Sequence, residues 1–494
     1  MYKKLLIAII AFLIVVCPKL EGQSLITLEK AMEIAGQNSP EIQISLLNLT
    51  RYKESLNATK ASQKSRFQLG ITPFDYSNSR KFDDYSSTWY TTEQTKSNGS
   101  FTVTQPFLPT DATISLNNEF GWMKTYNERS DILNANTKSF NNNLYISINQ
   151  PLFTYNKRKL ELKELELSYE NANLDYTMRM LNLEKRVSQY FYQVYMAQMS
   201  LNIAKDELEK TQQSYDIITN KVSAGLTAKE QLYQAELNLM TAKSTLQNQE
   251  VNLENAKDEF KNYVGIAIKD EVITLADITV TPTKIDLAIA VQHALESRME
   301  LRQKQIEIEN SQFDLIKTKA LNEFKGDLNL SLGVFGENEK LADTYDNPTR
   351  SPKVSVTFSI PIFDWGEKKS RIKSQEAILK SSNLNLENEK NRIEVDIRKV
   401  YRNIQNLYNQ IEIAKQNEKN AQLTYEINLE RYRNGDLTSM DLKLHQNQLS
   451  DKKTALVQAQ INYKLEILNL KIQSLYDFEK NQPLVPSTLF TNQK

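Results

Sequence analysis

Two hydrophobic periods divide this chain. In four short stretches apolar and polar residues alternate at period two. Phe67, Leu69 and Ile71 alternate with Gln68, Gly70 and Thr72, and Leu144, Ile146 and Ile148 alternate with Tyr145, Ser147 and Asn149. Farther along, Leu328, Leu330, Leu332 and Val334 repeat the pattern, as do Val354, Val356, Phe358 and Ile360. Each stretch predicts a strand with one apolar and one polar face. Elsewhere apolar residues return at three- and four-residue steps. Val187, Tyr190, Val194, Ala197, Leu201 and Ala204 form one such row, Ile397, Val400, Ile404, Leu407 and Ile411 a second, and Leu232, Ala235, Leu239, Ala242 and Leu246 a third. These heptads predict long helices at 154–222 and 364–432, with returning helices at 226–264 and 438–478. A helix of roughly 68 residues makes a rod of about 100 Å, too long for a globule. Shorter helices at 27–65 and 284–325 could stack on the returning ones. Pro151 and Pro361 end strands, and Thr154 and Asp364 stand where an N-cap belongs. Tyr155 and Trp365 follow at equivalent places; an aromatic there suits a membrane–water boundary or ordinary packing.

The chain is written twice. Gln150-Pro151-Leu152-Phe153 returns 210 positions later as Ile360-Pro361-Ile362-Phe363, Tyr215 as Tyr425, Gly225 as Gly435, and Leu232, Leu239 and Leu246 as Leu442, Leu449 and Leu456. Toward the N-terminus the offset is 259: Leu28, Ala31, Ala35 and Glu41 return as Leu287, Ala290, Ala294 and Glu300. The difference puts 49 extra residues in the first half, between about residues 72 and 144. Phe101-Thr102-Val103-Thr104 and Thr113-Ile114-Ser115-Leu116 inside this insert are strand-like, and a hairpin extension on the extracellular side is the expectation. The resulting division is a repeat at 23–283, a second at 284–480 and a tail at 481–494.

Composition supports long elements, because 494 residues contain only 12 Gly and 12 Pro. Acidic and basic residues balance at 61 each, which gives no bulk attraction for nucleic acid. Lys3 and Lys4 precede an apolar run at 5–16 and a Gly at 22, the pattern of a secretory signal peptide over 1–22. The one cysteine, Cys17, falls in this leader; a lipidated cysteine needs a smaller residue before it than Val16. No later segment offers the ~18 apolar residues of a membrane helix, so any entry into a bilayer is by strands.

Four amphipathic strands need a cover for their apolar face. A soluble antiparallel sheet is one reading, yet no other segment supplies a second layer. Lipid is the alternative cover, and a sheet in lipid cannot keep open edges. Since ~8 strands is about the least that closes a barrel, four per chain require sister copies. Two copies would leave a lumen filled by side chains; three would leave a channel, which transport favours.

At this point the chain resembles the TolC family of outer-membrane efflux proteins along essentially its whole mature length. The resemblance rests on the strand–Pro–Phe–helix junctions at Pro151 and Pro361, and on the hairpin tips Val222-Ser223-Ala224-Gly225-Leu226 and Tyr432-Arg433-Asn434-Gly435-Asp436. It also rests on the repeat-start pattern Ala294-Leu295-Glu296-Ser297-Arg298-Met299-Glu300-Leu301. It implies a mainly α fold with a transmembrane β component: three protomers, each giving four strands, form a twelve-stranded outer-membrane barrel above a coiled-coil α-barrel in the periplasm. The implied function is the exit duct of a tripartite export system, joined through a periplasmic adaptor to an inner-membrane pump. The implied gate residues are Tyr432 and Asp441 on the second tip, with Gln231 or Glu230 on the first as partner to the Tyr432 hydroxyl. Gly225 and Gly435 mark the tips an adaptor would touch. Where the family carries an arginine and a second entrance aspartate, this chain has Leu437 and Leu444. The resemblance therefore implies a looser or differently closed gate. An acid at the entrance, Asp441 here, would attract cations.

No catalytic, cofactor or metal site is expected. The two histidines, His293 and His445, sit one in each half and read as packing or tunnel lining. No nucleophile motif, phosphate-binding Gly loop or metal-ligand spacing occurs. The competing function class is a secreted coiled-coil adaptor or structural protein with a soluble sheet.

Overall fold

The computed structural model describes residues 24–85, 87–129 and 135–484. The expected leader, with Cys17 inside it, and residues 485–494 of the tail lie outside the described residues. The chain forms two compact units: residues 48–173 and 303–386 make one, and the remaining described residues make the other.

In the helical unit, β1 (Ser24–Ile26) pairs in parallel with β6 (Val272–Thr274), a contact with no counterpart in the hydrophobic periods. Two short helices, α1 (Leu28–Asn38) and α5 (Leu287–Ser297), occupy equivalent places in the two repeats. Ala31 and Ala35 in the first, and Ala290 and Ala294 in the second, are fully buried. Each helix then breaks. Ser39 and Arg298 leave the helical region at ψ 124° and 125°, and new helices begin as α2 (Pro40–Ser62) and α6 (Met299–Lys319). The single helices expected at 27–65 and 284–325 are thus each two. At the first break Pro40 disfavours helical geometry in the residue before it.

The long elements are α3 (Lys157–Ser223), α4 (Lys229–Val264), α7 (Glu367–Asn434) and α8 (Ser439–Ser474). Three expected starts move by three residues. Asn156, not Thr154, caps α3, its Oδ1 accepting from the Lys159 N–H at 2.8 Å. Asp364 caps α7 as expected, accepting from Gly366 and Lys368 N–H. Trp365 and Gly366 nevertheless take left-handed φ of 54° and 82°, which holds helix formation off until Glu367. The start of α4 at Lys229 leaves room for the tip turn. The end of α8 comes at Ser474 rather than 478, where Leu475 turns left-handed at φ 53°. Past it β10 (Tyr476–Asp477) pairs with β11 (Gln482–Pro483), so the first residues of the expected tail are structured. Heptad residues build the core: Val187, Phe191, Val194, Leu253, Phe260 and Ile461 are buried together, with Phe191 edge-on to Phe260 at 6.2 Å.

The other unit holds an antiparallel sheet of β2 (Arg66–Asp83), β3 (Thr88–Phe107), β4 (Ala112–Arg129), β5 (Ala135–Leu152) and β7 (Lys325–Asn338). Two strands, β8 (Thr349–Arg350) and β9 (Lys353–Ser359), share the last edge beside β7. Its order is β2-β3-β4-β5-β7 followed by that edge, which makes six positions among the described residues where four strands were expected. The 259-residue offset maps β2 onto β7, and the 210-residue offset maps β5 onto β9. What remains, β3 and β4, is the insert. It is no extension at one end: β3 pairs with β2 from Arg66↔Thr104 to Asp83↔Thr88, and β4 with β5 from Thr113↔Asn149 to Asn127↔Ala135.

Candidate functional sites: an outward apolar belt and a clasped hairpin tip

Register turns the alternation of single strands into a continuous surface. Phe67 lies beside Val103, Val103 beside Leu116, Leu116 beside Ile146 and Ile146 beside Leu332. One pair nearer the junctions with α3 and α7, Ile114, Ile148, Leu330 and Val354 follow one another across four strands. Side chains alternate across a strand, so all these residues share one face. The opposite face carries Gln68, Thr102, Asn117 and Tyr145 in one row and Arg66, Thr104, Ser115, Ser147 and Ser331 in the next. It is tied together by polar bonds, Asn149 Nδ2 to Asn329 Oδ1 at 2.6 Å and the Tyr145 hydroxyl to Glu119 Oε1 at 3.2 Å.

In the middle of β5 burial is inverted. Leu144 and Ile146 are exposed, while Tyr145 and Ser147, which alternate with them, are half-buried. Leu69, Leu332 and Val354 are 68%, 64% and 71% exposed. A contiguous exposed apolar surface marks a place where something apolar covers it. Aromatic residues flank the belt. Phe153, Phe324 and Phe358 form a chain of ring contacts at 5.2 and 5.4 Å near the strand–helix junctions, where Phe363 packs on Trp365 at 4.7 Å. Toward the far ends of the strands lie Phe120, which stacks with Phe140 at 6.4 Å, and Trp122. An apolar band between two aromatic girdles is the dress of a membrane barrel. Pro151 lies in the last pairs of β5, opposite Asp327, and Pro361 just past β9, strand-end places that tolerate proline.

The hairpin tips lie in the helical unit. Gly225 and Gly435 take φ of 71° and 95° and close matching turns. Gly225 N–H donates to Val222 O and Leu226 N–H to Lys221 O; Gly435 N–H donates to Tyr432 O and Asp436 N–H to Arg431 O. This paired pattern satisfies the last helical carbonyls and needs the left-handed residue that glycine adopts without penalty. Tyr432 is fully buried among Ile218, Ala235, Tyr425, Leu442 and Leu449. Its hydroxyl donates to Ser214 O at 3.1 Å. The expected bond to Gln231 or Glu230 is therefore not the one its hydroxyl makes. Gln231 lines the same open cavity of about 600 Å³ as Tyr432 and Asp441, whereas Glu230 is exposed in the first turn of α4. Asp441 is exposed, and its N–H and Oδ2 engage the Thr438 hydroxyl that caps α8. Leu437 packs half-buried against the tip core, and Leu444 is exposed.

Sequence reasoning missed what ties the second hairpin to α3. Lys221 Nζ donates to Tyr432 O at 2.9 Å and lies over its ring at 5.5 Å. Glu207 forms an ion pair with Lys443, both largely buried, and its carbonyl accepts from Gln446 Nε2 at 2.9 Å. Asp206 holds Lys210 at 2.7 Å and Lys453 at 3.6 Å. The basic partners lie between about one and five helical turns from the tip glycines, so the signal is in the heptad flanks and not in the tip motif. Glu207→Gln leaves the Lys443 ammonium with a neutral partner in a poorly hydrated place. A loss of about 1–3 kcal/mol is expected, read as faster hydrogen exchange in both tips.

Burial also pushes the Tyr432 and Tyr425 hydroxyls up to about 12, the Asp206 carboxylate adding to the effect at Tyr425. A raised phenol favours the neutral form in the folded tip. Its contribution is complete below the ordinary value of ~10 and disappears as pH rises through the folded value. Wild-type stability relative to a Tyr425→Phe/Tyr432→Phe variant is expected to stay level up to pH ~10 and then decline toward 12. A decline already complete at neutral pH would contradict the buried geometry.

The histidines take part in packing: His293 stacks on Tyr476 at 4.8 Å, and His445 Nδ1 lies 3.3 Å from Gln448 Oε1. Among the described residues no cluster of three metal-binding side chains occurs, and no helix is long and apolar enough to cross a membrane.

Comparison with known proteins gives one family, described as outer membrane efflux protein, which matches residues 105–265 and 290–471. No curated protein sequence matches. The CmeC outer membrane channel of Campylobacter jejuni superposes with a TM-score of 0.68 at 16% identity, covering 94% of this chain and 88% of that one. A membrane protein from Pseudomonas aeruginosa gives 0.68 at 13% identity over 90% of each chain. The outer membrane protein VceC of Vibrio cholerae gives 0.65 at 14% identity, over 91% of this chain and 95% of that one. At such identities the likeness is one of fold.

Proposed function

This chain belongs to the outer membrane efflux protein family, and from that premise we propose that three copies assemble into one duct, which meets an inner-membrane pump through a periplasmic adaptor. The protein is an outer-membrane exit duct for efflux, with its helices in the periplasm. The observation that carries the reading is the inverted burial in the middle of β5: exposed Leu144 and Ile146 against half-buried Tyr145 and Ser147. Lipid covers the first set, and a water-filled lumen meets the second.

In this reading the tips form the periplasmic entrance. Tyr432 and Lys221 hold the second hairpin against α3, and Leu437 replaces a charged latch by apolar packing. Opening swings that hairpin away and breaks the Glu207–Lys443 pair. Asp441, exposed beside the tip cavity, faces arriving solutes and favours cations over anions. Gly225 and Gly435 keep the turns compact where an adaptor docks. Hydroxyl and amide groups dominate the polar face of the sheet, a lining with little preference, which leaves substrate choice to the pump.

Planar bilayers decide between a duct and a structural protein. Purified oligomer should insert and give discrete conductance steps, small for wild type and larger for Glu207→Gln. Protein that binds the bilayer without conducting, in both forms, would overturn the reading.

A further inference from the structure

We infer that the inserted hairpin β3–β4 is part of the membrane wall, so that each copy contributes six staves and the closed barrel has eighteen. This rests on the trimeric duct reading and deepens it.

The register carries the inference. Phe101 and Val103 on β3, and Ile114 and Leu116 on β4, stand on the same face and at the same height as Phe67, Leu69, Ile146, Ile148, Leu330 and Leu332. A hairpin standing in water above the membrane would have no reason to continue the belt. Phe101 and Leu116 are each 43% exposed, while their chain neighbours Thr102 and Asn117 are half-buried on the polar face. The inserted strands are also among the longest of the sheet, 20 and 18 residues, well above the ~9–11 that a bilayer requires. They cross the belt and continue beyond it as polar strand.

Closure follows from direction and edges. Successive strands of the sheet run antiparallel, and six is an even number, so β9 of one copy and β2 of the next meet antiparallel as well. Both edges carry the belt, Phe67, Leu69 and Ile71 on one side and Val354, Val356 and Phe358 on the other. Open edges in hydrocarbon are forbidden, and the matching edge of a second copy is the occupant that continues both faces in phase. Barrel diameter grows roughly linearly with strand number, and 16–18 strands leave an aqueous channel. The upper duct is then about half again as wide as a twelve-stave one.

Single cysteines read this directly, the one native cysteine being Cys17. Phe101→Cys, Leu116→Cys, Thr102→Cys and Asn117→Cys, with Ile146→Cys and Ser147→Cys as references, are placed in lipid nanodiscs and treated with a charged maleimide. Native mass spectrometry counts the copies. The expected result is three copies, with labelling at 101 and 116 about a hundredfold slower than at 102 and 117, the penalty for carrying charge into mid-bilayer. Fast labelling at 101 and 116 while 146 stays protected puts the hairpin outside the wall and overturns the inference, leaving the duct intact. Fast labelling at 146 as well overturns the duct reading with it. Two copies instead of three overturn the count of eighteen.

Discussion

Ile146→Arg is expected to remove about 2–4 kcal/mol of barrel stability in a bilayer, while Ser147→Arg, one residue along, costs close to nothing. Ile146 lies on β5 between Leu116 of β4 and Leu332 of β7, at the middle of the apolar belt. A guanidinium there must leave water and cannot find a partner among those neighbours. Ser147 lies between Ser115 and Ser331 on the polar face, where an arginine stays hydrated in the lumen. Urea unfolding in lipid vesicles measures both. Equal penalties would mean that neither face of this sheet meets lipid, and a larger one at 147 would mean the faces are assigned the wrong way round.

The second large effect is at the tip. Tyr432→Ala is expected to cost about 3–5 kcal/mol locally, by analogy with other large aromatic truncations in packed cores. The ring is enclosed by Ile218, Tyr425, Leu442 and Leu449, and its removal also takes away the face over which Lys221 lies. Tyr432→Phe keeps the ring and loses the hydroxyl's bonds to Ser214 O and the Ser439 side chain, about 1 kcal/mol each. Hydrogen exchange in both tips and single-channel conductance should rise in that order: wild type, phenylalanine, alanine. An alanine variant with wild-type exchange and conductance would show that the tip is held by something other than this residue.

Particular elements show how far the sequence could be read. Heptads of long helices survive any single irregularity, so α3, α4, α7 and α8 were legible to within a few residues. Their errors lie at the ends, where one cap or one left-handed residue decides: Asn156 in place of Thr154, Trp365 and Leu475 at positive φ. Four strands were legible because their apolar sets are uninterrupted. The two inserted ones read as strand-like but not as staves, since Gly99 and Asn118 interrupt their apolar faces. Only register, which places those faces beside Phe67 and Ile146, reveals the membership. Of the four residues singled out at the tip, Tyr432, Gln231 and Asp441 line one cavity and Glu230 is not in its lining. The bond that holds Tyr432 comes instead from Ser214, a backbone carbonyl that no side-chain motif can announce.

In the proposed duct lipid covers the apolar belt and sister copies cover its edges. Membrane fractionation followed by native mass spectrometry in mild detergent addresses this arrangement most directly. The protein is expected to stay in the membrane fraction through high salt, to be released by detergent, and to be found as a three-copy species. A monomer in the soluble fraction, stable without detergent, would contradict it.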